Sequence, residues 1–316
     1  MYCMQDKTEV GENMRQEFET KLFHTIDKEK IYVNEKMEKH TTFRIGGPAD
    51  YFVMPSDVTD VKAVIELCEQ EKVPYYVVGN GSNLLVGDKG FRGVIIQIAS
   101  NMNQLQADGE VITAQAGCSL AQIAGKALDE ELAGFEFAAG IPGTLGGAVR
   151  MNAGAYGGEI KDVLESAVVL TKEGKVMELS VNEMEFGYRT SIIERTGWTI
   201  LGGKIRLHKG NREEIKAVMD DLRERRVSKQ PLEYPSAGST FKRPKGYFAG
   251  KLIQDAGLRG FRVGGACVSE KHSGFVINID HATADDVVSL MEQVDEKVRA
   301  QFGVGLEPEV RRIGEF

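Results

Sequence analysis

The sequence predicts an α+β fold divided into two or three domains. Three observations carry this. Segments with apolar positions at helical spacing are mixed with β-rich runs. A chain of 316 residues exceeds the size of one comfortable core. The texture also changes near Gly210, where short strands give way to a charged helix and then to a proline- and glycine-rich connection.

Roughly the first twenty residues, opening "MYCMQDKTEV", are polar and are expected to fray, with Met14 available as an alternative start. Acidic and amide residues stand where a signal peptide would carry its apolar region, so a cytoplasmic location is expected. "SDVTDVKAVIELCEQEK" places Val61, Val64, Ile65 and Cys68 on one helix face behind a capping residue. "VPYYVVGNGSNLLVGDKGFRGVIIQI" reads as strand, loop, strand. "EVITAQAGCSLAQIAGKALDEEL" gives a strand and a second helix, opened by a Ser119–Gln122 capping box and striped by Leu120, Ile123, Ala124, Ala127 and Leu128. "SAVVLTKEGKVMEL" carries the EG turn of a hairpin, and "WTILGGKIRLHKG" supplies further strand. In "NREEIKAVMDDLRERR", Ile215, Val218, Met219 and Leu222 share a helix face, and the domain boundary is placed just before it. "SKQPLEYPSAGSTFKRPKGYFAG" is irregular, at a length that compact domains reserve for function. "TADDVVSLMEQVDEKVRAQFG" is a closing helix, and Thr283 or the aspartates read as its cap.

Composition narrows the chemistry. A formal charge of −8 argues against nucleic acid as partner. No apolar run approaches the roughly 20 residues a bilayer span needs. Cys3, Cys68, Cys118 and Cys267 form no CxxC pair and the five histidines lack ligand spacing, so reduced thiols and no metal are expected.

Two glycine-rich segments point to a ligand. "VVGNGSNLLV" sets Gly79, Asn80, Gly81, Ser82 and Asn83 directly after a strand, where successive N–H groups can form an anion-binding hollow. It is neither GxGxxG nor a Walker loop, and alone it reads equally as a plain turn. "EFAAGIPGTLGGAVRMNAGAYGGE" surrounds Ile141, Pro142 and Thr144 with Gly140, Gly143, Gly146 and Gly147, too many glycines for the interior of a helix or sheet. Arg189 in "FGYRTSII" needs a partner, which a substrate carboxylate or a structural acid would equally supply. Ser239 in "PSAGSTFKRP" is a proton donor or a local cap. "LEPEVRRIG" is a solvated charge run or holds functional acids in Glu307 and Glu309.

Taken in order, "HTTFRIGGPADYFVMP", "VVGNGSNLLV", "FAAGIPGTLGGAVRMNAGAYGGE", "FGYRTSII", "SAGSTFKRP" and "LEPEVRRIG" resemble the UDP-N-acetylenolpyruvoylglucosamine reductases, the MurB family, over residues 39–314. The resemblance implies a two-subdomain PCMH-type FAD-binding domain over residues 43–210, its subdomains about 31–98 and 99–210. It also implies a smaller α+β substrate-binding domain over 211–316, with residues 1–30 as an extension. It implies catalytic roles for Arg189, Ser239 and Glu309. FAD, bound without a covalent link, would contact Gly79, Asn80, Gly81, Ser82, Asn83, Gly140, Ile141, Pro142, Gly143, Thr144, Gly147 and Ala148. Tyr188, Arg226 and Lys229 would contact substrate. NADPH would reduce the flavin, which would pass hydride to the enolpyruvyl carbon of UDP-N-acetylglucosamine enolpyruvate, with Ser239 donating the completing proton. A monomer is expected. The short run "TSIIERTGWTILGGKIRL" leaves no room for the tyrosine-bearing insertion of some members, which places the chain in the shorter class. Two other readings compete: an oxidase of the same fold that uses oxygen, and a binding module without turnover.

Overall fold

A computed structural model describes residues 7–316, with side chains from residue 15 onward. Cys3 lies outside the described residues. The amino-terminal segment departs from the fraying expected of it. Residues Lys7–Thr25 form helix α1, and Phe18, Leu22 and Ile26 are buried in the main core, Phe18 packing on Tyr51 at 5.4 Å between ring centroids. A polar average concealed one apolar stripe. Leu22→Ala is therefore expected to destabilise the protein by about 2–5 kcal/mol, the range for large-to-small changes in a core, measurable by urea unfolding; a change below about 0.5 kcal/mol would mark α1 as loosely attached.

The next elements build a four-stranded sheet in the order Ile31–Lys36, Pro48–Val53, Phe91–Gln97, Tyr75–Val78. The first pair is antiparallel and the other two pairs are parallel. Helix α2 (Val58–Glu71), capped by Asp57, buries Val61, Val64, Ile65 and Cys68 as its spacing predicts. A five-stranded antiparallel sheet follows, in the order Val176–Ser180, Leu164–Leu170, Thr199–Arg206, Val111–Gln115, Leu105–Asp108. Helix α3 (Leu120–Asp129) opens with the Ser119–Gln122 capping box. One hydrophobic cluster runs through α1, α2, α3 and both sheets.

The glycine-rich segment contradicts its sequence reading in one respect: Leu145–Arg150 is a helix, α4, with Gly146 and Gly147 inside it. Thr144 caps it, and Leu145, Ala148 and Val149 are buried. A Cβ on Gly146 would stand 3.0 Å from the Ala116 Cβ. Tertiary packing overrides the low helix propensity of glycine here. Helix α5 (Ile192–Thr196) is a single short turn following Arg189.

Helix α6 (Arg212–Lys229) buries only Ile215 fully, and Val218, expected on its packed face, is exposed. The helix lies on α3 and the 136–138 turn. The connection after it is irregular over residues 230–248, as expected, and runs into helix α7 (Ala249–Asp255). With helix α8 (Ala284–Phe302) and a three-stranded antiparallel sheet (Arg262–Val263, Ala266–Val268, Val276–Asn278), α7 encloses a second core. Arg311–Ile313 then pairs in parallel with Leu84–Val86, so the end of the chain returns to the strand that leaves the first glycine loop. Ile313 packs there against Met37, Phe52 and Val86. Among the described residues no helix is long and apolar enough to cross a membrane.

Candidate active site

The two glycine-rich segments meet. A pocket of about 680 Å³ is lined by Gly79, Asn80, Gly81, Ser82 and Asn83 from one, and by Ile141, Gly143, Thr144, Gly147 and Ala148 from the other. Gly140 and Pro142, which were expected with them, do not line it: Pro142 points to solvent, and Gly140 lies beneath the Arg226 side chain. The two walls are locked together, since a Cβ on Gly79 would stand 2.3 Å from Thr144 Oγ1. Gly81, at φ +62°, sits against the His40 carbonyl. These glycines serve the protein's own packing. Gly143 and Gly147 do not, because the nearest atom to a Cβ on either is 3.7 Å away. Their bare faces are left for a ligand.

Among the described residues, the backbone N–H groups of Asn80, Gly81, Ser82, Asn83, Gly143 and Thr144 donate to no protein acceptor. Such an array suits a pyrophosphate. The pocket lining contains neither cysteine nor histidine, and nearby Cys118 is buried, its thiol pushed up to about 11 by burial. The lining fits FAD. Gly143→Val is expected to preserve the fold and abolish FAD uptake, whereas Gly79→Ala should destabilise the protein itself. The emission of Trp198, the single tryptophan, reports uptake because it lines the adjoining cleft behind Gly147. Normal FAD binding by Gly143→Val would show that this face does not meet the cofactor.

Sequence reasoning missed three charged residues of the same lining. Glu194 bridges Arg150 Nε (2.9 Å) and Arg311 Nη2 (3.1 Å), joining α4, α5 and the strand after Glu309. Arg150 and Arg311 each stood in a plausible solvent run, and only the fold gathers them.

Arg189 and Glu309, 120 residues apart, form an ion pair beside this pocket. Arg189 donates from Nε to Glu309 Oε1 at 2.9 Å and from Nη2 to the Gly154 carbonyl at 3.0 Å. Its backbone takes φ +56° in a tight turn where Gly187 and Thr190 exchange hydrogen bonds. A non-glycine residue in that conformation costs on the order of 1 kcal/mol. Fully buried Asn152 holds the turn by donating Nδ2 to the Gly187 carbonyl at 3.0 Å. Burial holds the Glu309 carboxyl above the usual carboxylate range, opposed by the Arg189, Lys242 and Arg311 charges.

Ser239 reaches the same place through the backbone. Its neighbour Thr240 accepts from the Glu309 N–H at 2.8 Å, and Lys242 N–H donates to the Glu307 carbonyl at 2.8 Å. The Ser239 side chain is exposed and has no hydrogen-bond partner among the described residues. Tyr188 stacks beneath the Arg189 guanidinium, and its hydroxyl accepts from the Arg243 N–H at 3.0 Å, which joins the trio to the 242–248 turn. Arg226 is half-buried, with the Tyr156 hydroxyl as its polar neighbour; burial lowers its pKa. Lys229 is exposed at the end of α6.

Known proteins resemble this chain in sequence and fold. Residues 230–313 match the model of the UDP-N-acetylenolpyruvoylglucosamine reductase C-terminal domain, and residues 49–180 match that of an FAD binding domain. A UDP-N-acetylenolpyruvoylglucosamine reductase of Lachnoclostridium phytofermentans is 54% identical over 299 residues, covering 93% of this chain and 96% of its own. The chain belongs to the MurB family. The family's Clostridioides difficile reductase is 52% identical over 295 residues, covering 93% of this chain and 97% of its own. The crystal structure of MurB from Thermus caldophilus superposes with a TM-score of 0.77 at 33% identity, covering 90% of this chain and 98% of that one. A MurB-like PCMH-type FAD-binding region followed by a C-terminal domain is therefore the fold of this chain.

Proposed function

We propose that the protein is a UDP-N-acetylenolpyruvoylglucosamine reductase, which uses NADPH to reduce UDP-N-acetylglucosamine enolpyruvate to UDP-N-acetylmuramate for peptidoglycan precursors. The observation that carries the reading is the Arg189–Glu309 pair beside a pocket that fits FAD, with Ser239, whose hydroxyl has no partner among the described residues, tied to Glu309 through the backbone of its neighbour Thr240. When bound, FAD accepts two electrons from NADPH and delivers them to the enolpyruvyl double bond. The residues do the rest. Arg189, its Nε held by Glu309 and Nη2 by Gly154, orients the substrate carboxylate and stabilises the negative charge that develops beside it. Glu309, with its pKa raised by burial, carries a larger protonated share at a given pH than an exposed glutamate and can donate a hydrogen bond to that charge. Ser239, with no hydrogen-bond partner among the described residues, gives the proton that completes the lactyl ether.

Tyr188, Arg226 and Lys229 contact the sugar nucleotide in this account, the two cations suiting its diphosphate. The protein works as a cytoplasmic monomer. Because α6 packs on α3, we place the boundary of the substrate-binding domain after α6, at about residue 230, where the C-terminal family match begins. Steady-state oxidation of NADPH by the FAD-loaded protein tests the function. It should require the enolpyruvyl sugar nucleotide and proceed without oxygen. Oxygen consumption driven by an alcohol or a sugar lactone, with no use of NADPH, would favour an oxidase of the same fold instead.

A further inference from the structure

We infer that Asn83 is a positioning residue for Glu309, so that one side chain keeps the cofactor loop and the catalytic carboxylate in register. The inference rests on the reductase reading. Asn83 is the last residue of the loop whose N–H groups find no protein acceptor, and it lies 226 positions before Glu309. Its Nδ2 donates to the Glu309 carbonyl at 3.2 Å, and its own carbonyl accepts from the Arg311 N–H at 2.9 Å. The loop thus holds the chain at the Glu309 carbonyl and again two residues later. Immediately beyond, Leu84–Val86 pairs with Arg311–Ile313, so the two segments move as one ribbon. From Glu309 the connection divides. The N–H reaches Thr240, beside Ser239, and the carboxylate reaches Arg189.

Whatever fixes the loop fixes the backbone of Glu309 and, through it, the other two residues. The loop's unused donors face the cofactor pocket, while the Asn83 amide donor is spent on Glu309. Occupancy of the pocket and placement of the carboxylate are therefore linked, and linkage between two sites is reciprocal.

The test compares Asn83→Ala and Asn83→Asp, each lacking the Nδ2 donor, with Glu309→Gln and the Asn83→Ala/Glu309→Gln double variant, all as FAD-loaded enzyme. Because Asn83 also lines the cofactor pocket, every variant is compared at saturating FAD, and the expected result is a fall in the ratio of reoxidation by the sugar nucleotide to flavin reduction by NADPH. Reoxidation by the sugar nucleotide should slow about tenfold, the scale of one lost hydrogen bond. In the double variant the slowing should equal that of Glu309→Gln alone, because both changes act through one group. Both half-reactions slowing alike, or slowing that multiplies in full with Glu309→Gln, overturns the inference. A readout independent of turnover is the carbon-13 resonance of the Glu309 carboxyl, assigned by its loss in Glu309→Gln. It should shift on FAD addition in wild type and shift less in Asn83→Ala; equal shifts overturn the inference. A wild type that NADPH reduces but the sugar nucleotide cannot reoxidise contradicts the reductase reading, and the resonance then decides on Asn83 separately.

Discussion

Replacing Arg189 with alanine is expected to leave FAD bound and its reduction by NADPH intact, while reduction of the sugar nucleotide falls by a hundredfold or more. The size follows from what one preorganised electrostatic donor contributes to a transition state, on the order of 100- to 1,000-fold. Its direction follows from position. Arg189 is not among the residues lining the cofactor pocket, and its hydrogen bonds go to Glu309 and Gly154. Loss of the guanidinium also removes the charge that most opposes burial at Glu309, so the carboxyl pKa should rise further and the group should protonate rather than remain as an unpaired buried charge. The variant should therefore fold. Arg189→Lys should recover little, because an ammonium cannot reproduce the two-directional fork that joins Glu309 to Gly154. Stopped-flow absorbance separates the half-reactions; loss of FAD from Arg189→Ala would make the residue structural.

Ser239→Ala is expected to slow only the second half-reaction, by about 100-fold or more, the scale of general acid catalysis. The change is clean because the exposed Ser239 hydroxyl has no partner among the described residues, so folding loses nothing when it goes. The Thr240 bridge to Glu309 runs through the backbone and survives. Equal slowing of both half-reactions would remove the proton-donor role, and unchanged reoxidation would assign the proton to another group.

The contrast between these two residues shows what a sequence discloses. Locally encoded features were legible. The Ser119–Gln122 box opens α3, the Thr283–Asp286 box opens α8, and the Gly174 turn closes its hairpin, each set by residues within a few positions of one another. The two glycine-rich segments were legible as bare backbone, the first of them equally as a plain turn, and only the fold shows that they line one pocket. Features made by distant residues were not legible. Helix α4 forms from "LGGAVR" because Gly146 seats on Ala116, and propensity alone argues against it. The charge run after Leu306 looked solvated, yet Arg311 and Ile313 are in a strand paired with residues over 200 positions earlier. The partner of Arg189 was ambiguous between a substrate and an acid. It is Glu309, and the resemblance names both residues without joining them.

The measurement that tests the account most directly is an anaerobic titration of the purified, FAD-loaded protein followed by its flavin absorbance. NADPH should bleach the oxidised band, and UDP-N-acetylglucosamine enolpyruvate added next, without oxygen, should restore it. A band that bleaches and returns only when oxygen is admitted would contradict the reductase assignment, and a protein that takes up no FAD would contradict the pocket on which that assignment stands.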